Sequence, residues 1–183
     1  QRVAERTAEL QQANQTMEQR TAELSIINSV QQGLASQLDL QGIIELVGDK
    51  IREVFNWQNL GLRLYDRGTN LVHYPYEVER GVRLPPFDPL AASAFSGHII
   101  KTRKPLLINR DMERWMKQLK SKLLPGTELS KSFLGVPIIS GDQVIGVIVV
   151  DDMEREDAFG ESDVRLLTTL AASMGVALEN ARL

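Results

Sequence analysis

Few residue types in this chain are suited to chemistry. Two histidines, His73 and His98, stand apart from each other and from any His-rich spacing, and a lone imidazole is more often a surface or core-edge residue than a ligand. The run Asp151-Asp152, with Glu154, Glu156 and Asp157, concentrates carboxylates as a metal site would, yet it lacks the alternating spacing of a calcium loop and reads as a solvated turn. No nucleophile with a histidine or acidic orienter can be assembled, and no phosphate loop or kinase signature is present. No catalytic residue and no metal ligand is therefore assigned. The chain has no cysteine, which removes thiolate zinc sites, nucleophilic cysteine, redox pairs and thioether-linked chromophores together. Arg110, Trp115 and Lys131 could supply donors and an aromatic wall to a small anion or a ring.

The elements that must position these groups follow from periodicity. Glu5-Arg-Thr-Ala-Glu-Leu10 is echoed by Gln19-Arg-Thr-Ala-Glu-Leu24, fourteen residues on, which is two heptads. Val3, Leu10, Met17 and Leu24 then occupy d positions, with Thr7, Asn14, Thr21 and Asn28 at a. The other phase would put Arg6, Ala13, Arg20 and Ile27 at d, and asparagine at a favours the first. Residues 1–24 are thus expected to form a signalling helix that pairs with a second copy, because a solitary helix of this polarity is marginal in water. The helix should continue to Gln37 with Ile26, Ile27, Val30 and Leu34 on a domain-facing side. Asp39 is the expected N-cap of a second helix carrying Ile43, Ile44, Val47, Ile51, Val54 and Phe55.

Alternation at Leu60, Leu62 and Leu64 predicts a strand, and the turn residues 66–70 lead into a second, Leu71 to Val78. A loop is expected from Glu79 to Pro89, a helix from Leu90 to Thr102 and a short strand at 106–108. A further helix is expected from Asp111 to Leu124, with Trp115, Leu119 and Leu123 on one side and Pro125-Gly126 stopping it. Ser132–Ile139 and Gln143–Val150 predict a hairpin, the second arm apolar enough to be covered on both faces. The last helix, 163–183, shows a heptad-like seam of Val164, Leu167, Ala171, Met174, Leu178 and Ala181, and is expected to pair with its copy while Leu166, Leu170 and Ala177 face the sheet.

This order resembles the GAF domain family. The resemblance rests on Ser36-Gln-Leu-Asp-Leu40, on Phe133-Leu-Gly-Val-Pro-Ile138 with Val144-Ile-Gly-Val147, and on Ala158-Phe-Gly-Glu-Ser-Asp163 leading to Ala177-Leu-Glu-Asn-Ala-Arg-Leu183. It implies an α+β domain over 25–183, with an antiparallel sheet, terminal helices on one face and a lid-covered pocket on the other. Parts of Arg63, Tyr65, His73, Tyr74, Tyr76, Ser132 and Val136 would line that pocket with Arg110 and Trp115, under a lid from 90–124. Gly135 and Gly146 would admit another element closely, and Pro137 implies a strand edge or an unpaired ladder position.

The same resemblance implies a regulatory, non-enzymatic input module whose parent is a sensor histidine kinase or, next, a nucleotide or diguanylate cyclase. A ligand-free dimerisation spacer is the rival. Cyclic-nucleotide-binding relatives carry an Asn-Lys pair, a Phe and an Asp-Glu pair; here Asp151-Asp152 replaces the first, Phe159 and Asp163 match, and Val164 replaces the Glu. Bilin held through cysteine and methionine sulfoxide reduction both need the missing thiol. Haem on His73 or His98 is the weaker reading, and the small-molecule ligand stays unnamed.

A net charge of −3 and a basic stretch, 110–122, interrupted by Asp111 and Glu113 argue against nucleic acid. No apolar run reaches the 18–20 residues needed to span a bilayer. A cytoplasmic setting without membrane contact by these residues is expected, whether or not the parent is anchored.

Overall fold

The computed structural model describes residues 1–36, 39–55, 57–86, 88–122 and 128–182. The elements are α1 (Arg2–Ala35), α2 (Leu40–Val54), β1 (Asn59–Asp66), β2 (Leu71–Glu79), β3 (Val82–Arg83), β4 (Leu90–Ala91), α3 (Ala94–Thr102), β5 (Leu106–Ile108), α4 (Met112–Gln118), β6 (Ser132–Ser140), β7 (Gln143–Asp152) and α5 (Glu161–Arg182). Expected features at Gln37, Leu123, Pro125-Gly126 and Leu183, and the side chain of Val54, lie outside what is described.

The strands form one antiparallel sheet in the order β3-β2-β1-β7-β6-β5, with β4 also on β2. Successive side chains of a strand point to opposite faces, so each strand is split between two cores. Leu60, Leu62, Tyr76, Leu134, Val136, Ile138, Ile148 and Val150 join Ile43, Ile44, Val47 and Ile51 of α2, Val30 and Leu34 of α1, and Leu166, Leu167, Leu170 and Met174 of α5. Phe133, Val147 and Val149 face the other way, against Ile99, Leu106, Ile108 and Met112. β7 is therefore apolar from Val144 to Val150, where it is covered on both sides.

Local chemistry sets the boundaries. Asp39 caps α2, its carboxylate accepting from the Gly42 amide at 2.6 Å. α3 starts later than expected, because Leu90 and Ala91 pair with β2 and Ser93 supplies the N-cap hydroxyl to the Ser96 amide. Arg103, at φ 59°, ends it in the left-handed conformation. α4 stops at Gln118 instead of running to 124, since Lys120 turns to φ 54°. The expected loop after Glu79 contains β3, reached through Arg80 and Gly81 at φ 50° and 78°. β5 begins opposite Gly135, so β6 has no partner on that edge at Pro137. Asp163 accepts from the Gly160 amide at 2.9 Å and so anchors the first turn of α5.

The expected seam on α5 is corrected. Leu167, Ala171, Met174 and Leu178 are buried in the chain's own core, with Val164 and Ala181 packed at its margin. α5 lies between β6 and the pair α1 and α2, which consumes both apolar faces inside one chain. Its approach to the sheet is so close that a Cβ on Gly175 would stand 2.3 Å from the Ile139 carbonyl oxygen. On α1 the d-position residues Val3, Leu10, Met17 and Leu24 are exposed in the single chain.

Candidate functional site

Arg63 projects from β1 onto the face covered by α3. Its Nε and Nη2 donate to the two carboxylate oxygens of Glu77 on β2 at 2.8 and 3.3 Å, and Nη1 donates to the buried Ser96 hydroxyl of α3 at 3.3 Å. The guanidinium also lies 5.3 Å from the centre of the Tyr74 ring. Asp151, at the end of β7, accepts from the Ser130 hydroxyl and lies within the field of Arg63. One cation thus serves two largely buried carboxylates.

The electrostatics follow. Burial pushes the carboxyls of both Glu77 and Asp151 above the usual carboxylate range; Arg63 opposes the shift at each, as does the Ser130 hydroxyl at Asp151. Burial works against the Arg63 cation, but Glu77 outweighs it and holds the guanidinium charged. Asp151 also lines a polar cleft of about 470 Å³ with Trp57, Asn59, Arg80, Glu128, Asp152 and Arg155. The cleft mouth is bridged by the exposed Arg80–Glu128 pair at 2.7 Å.

Beside this polar group the space under the lid is filled by hydrocarbon. The Ile99 Cδ1 atom would stand 2.4 Å from a Cβ on Gly135, so only glycine lets α3 seat there. Phe95 packs against Phe133 with ring centres 5.1 Å apart, and Trp115, Met116 and Leu119 close the cluster from outside.

The lid is tied to the segment between β7 and α5. Asn109, just after β5, donates to the Phe159 carbonyl at 2.7 Å and accepts from the Phe159 amide at 3.4 Å, while its own carbonyl accepts from the Asp157 amide at 3.0 Å. Arg110 holds the Asp157 carboxylate at 2.6 Å. From the sheet, the buried Ser132 hydroxyl donates to the Arg155 carbonyl at 2.6 Å and accepts from the Ala158 amide at 3.2 Å. Asp152 folds the turn by accepting from the amides of Glu154 and Arg155 at 2.9 Å.

The pocket residues expected from the sequence are divided by the sheet. Arg63 and Tyr74 meet on the lid side, and Trp115 belongs to the lid cluster, partly buried. Tyr76 and Val136 are buried on the helix side and cannot line a lid pocket. The irregularity in the β1–β2 register between Leu62 and Leu64 brings His73 opposite Leu64, where it borders a cleft next to Leu40, Gln41 and Ile44 of α2. Tyr65 donates its hydroxyl to the Asn70 side chain at 2.7 Å at the hairpin tip. Ser132 and Arg110 hold the connector before α5.

Glu77, Ser96 and Asn109 were missed. Glu77 lies opposite Gly61, where its carboxylate occupies the space a Cβ would need, and a Gly-X-Arg strand facing a Glu was the available signal. Asn109 carries no such signal, since its partners are backbone groups fifty residues away.

A family model described as the GAF domain matches residues 37–179, most of the chain. The chain belongs to the GAF domain family. Solved structures of similar fold include the GAF domain of an Acinetobacter phosphoenolpyruvate-protein phosphotransferase, at 18% identity and TM-score 0.67, covering 88% of this chain and 95% of that one. Residues 122 to 287 of a methyl-accepting chemotaxis protein match at 16% identity and TM-score 0.72, covering 84% and 96%. The free methionine-R-sulfoxide reductase of Neisseria meningitidis, solved with its substrate, matches at 20% identity and TM-score 0.64, covering 87% and 90%. At these identities the likeness is one of fold. Among the described residues of this GAF domain no group of three or more His, Asp and Glu could hold a metal ion, and no helix is long and apolar enough to cross a membrane.

Proposed function

We propose that this GAF domain is a regulatory input module in a cytoplasmic part of a signalling protein, in which a change at the lid face is relayed to α5 and α1. The observation that carries the reading is the connector 152–160. It begins beside Asp151, is hydrogen-bonded to the lid through Asn109 and to the sheet through Ser132, and ends in the first turn of α5. A small molecule that displaces α3 or α4 acts on Asn109 and thereby on the start of α5. The ligand must favour one arrangement of the helices, because equal affinity for both moves nothing. The polar cluster of Arg63, Glu77, Tyr74 and Asp151 is its recognition surface. The parent is a sensor histidine kinase, with a nucleotide cyclase as the alternative, and these residues perform no chemistry of their own.

One observation favours the rival spacer reading: Ile99, Phe95 and Phe133 fill the space against Gly135. Two measurements separate the readings. Native and denatured masses of the purified chain report any retained molecule, and hydrogen exchange compares wild type with Asn109→Ala. Retained mass, or faster exchange over 161–166 in the variant, supports the relay. A bare chain whose 161–166 amides exchange at the wild-type rate in Asn109→Ala rejects it in favour of the spacer.

A further inference from the structure

Between Lys101 and Lys131 nine Lys and Arg stand against three Asp and Glu, a local charge of +6 in a chain whose net charge is −3. The rest of the chain therefore carries −9. All nine cations are exposed, and among the described residues Arg110 is the one of them in an ion pair, with Asp157. They sit on the lid and its margins: Lys101 in α3, Arg103 and Lys104 just after it, Arg114 and Lys117 on α4, and Lys131 before β6. Like charges repel, so so many unpaired cations on one covering layer oppose compactness and call for a partner. Beside α4 the patch has a shape. An open groove of about 680 Å³ lies between α4 and the segment before β6, lined by Arg114, Lys117 and Lys131, with Met112 and Leu129 of the lid cluster as its apolar part. Its carboxylates are Asp111, Glu113 and Glu156. Asp111 and Glu156 lie in the field of Arg110, which leaves Glu113 against the three cations. Past α4 the chain folds back at Lys120, φ 54°, with the Ser121 amide donating to the Met116 carbonyl at 2.8 Å, and this turn adds Lys120 and Lys122 to the same end of the helix.

We propose that this groove docks an acidic segment of a partner protein, which sets carboxylates on Arg114, Lys117 and Lys131 and an apolar side chain on Met112 and Leu129. Charge complementarity supplies the attraction. The separation of +6 from −9 within one chain turns an approaching acidic partner toward the lid before contact. The carboxylates inside the patch decide against other polyanions. Duplex DNA carries a charge about every 1.7 Å and an anionic bilayer is a continuous negative surface, so each would be opposed by Glu113 and its neighbours. A protein can place a Lys or Arg opposite Glu113 and turn the same group into a specificity contact. The groove also adjoins the connector. The Ser130 hydroxyl donates to Asp151, and the Lys131 amide donates to the Asp152 carbonyl at 2.8 Å, where the connector begins. Docking itself needs no relay; that a docked segment acts on α5 rests on the function proposed above.

The probe is a fluorescein-labelled polyglutamate peptide with one central leucine, titrated with the purified chain and followed by fluorescence anisotropy. Binding should saturate at an ionic strength of about 0.01 M and weaken severalfold at about 0.15 M. Lys117→Glu/Lys131→Glu should weaken it about tenfold or more with circular dichroism unchanged, since both side chains are exposed. Arg2→Glu/Arg6→Glu makes the same change of net charge on α1, away from the lid, and at the higher ionic strength should cost less than about twofold. Serine in place of the peptide's leucine should weaken binding about threefold or more, because Met112 and Leu129 line the groove. Absence of saturable binding, equal loss in the two double variants, or indifference to the leucine overturns the docking site. Tighter binding to duplex DNA or to phosphatidylserine vesicles than to the peptide overturns the acidic protein as the partner. In hydrogen exchange the bound peptide should change the rates over 161–166; binding that leaves those rates unchanged upholds the groove and rejects the relay.

Discussion

Replacing Arg63 by leucine removes the one cation held between Glu77 and Asp151, and the consequence can be worked from the geometry. The guanidinium makes two hydrogen bonds to Glu77, one to Ser96 and a ring contact to Tyr74. Without it two largely buried carboxylates face each other with no cation between them. Breaking a buried pair by deleting one partner costs about 3–5 kcal/mol, and the lower end, about 3 kcal/mol at pH 7.5, applies here because 21% of the Arg63 side chain still reaches solvent. The loss depends on pH with a definite sign. Burial already raises the folded-state Glu77 and Asp151 carboxyls above the unfolded value, so their contribution is fully present below the unfolded pKa and is lost as pH rises through the folded one. Losing Arg63 raises both further and widens that window. The deficit should therefore shrink toward pH 5, by up to about 1.4 kcal/mol per pH unit for each group titrating in the window. Urea denaturation at pH 7.5 and pH 5, at one protein concentration and with the m-value checked, measures it. Arg63→Leu/Glu77→Leu should recover more than half of the loss, since an apolar pair replaces an ion pair at little net cost. A deficit under about 1 kcal/mol that is equal at both pH values would show that the carboxylates are solvated and the reasoning wrong.

Two further outcomes follow from burial. The Tyr76 phenol, pushed up to about 12 by burial and by its hydrogen bond to Asp49, should stay protonated in an ultraviolet titration to pH 11; its contribution to stability is complete below about 10 and falls as pH rises through about 12. Ionisation of all three tyrosines near pH 10 would contradict its place under α2. Leu178→Asp should lower the unfolding free energy of the chain itself by about 4 kcal/mol or more, because the side chain is 1% exposed. Folded monomers of unchanged denaturation midpoint would instead restore Leu178 to an intermolecular seam.

The sequence determined whatever is local or periodic. Alternation in β1, β6 and β7, the aspartate cap of α2, the turn at 66–70 and the fourteen-residue echo of α1 depend on neighbours a few positions away, and all are read from one strand or helix at a time. The helix-face core was legible for the same reason. Periodicity does not name the partner a face will meet. Leu167, Met174 and Leu178 carry a heptad pattern, and only the seating of α5 between β6 and α1 with α2 shows that the pattern is satisfied within the chain. The division of Arg63 and Tyr74 from Tyr76 and His73 arose from a single register irregularity in β2, which moves side chains between faces without leaving a mark in composition. Glu77, Ser96, Asn109 and Asp151 became a site through contacts between residues far apart in the chain, and such pairings are decided by the closed tertiary structure, since a hydrogen bond specifies a distance in space and none along the sequence.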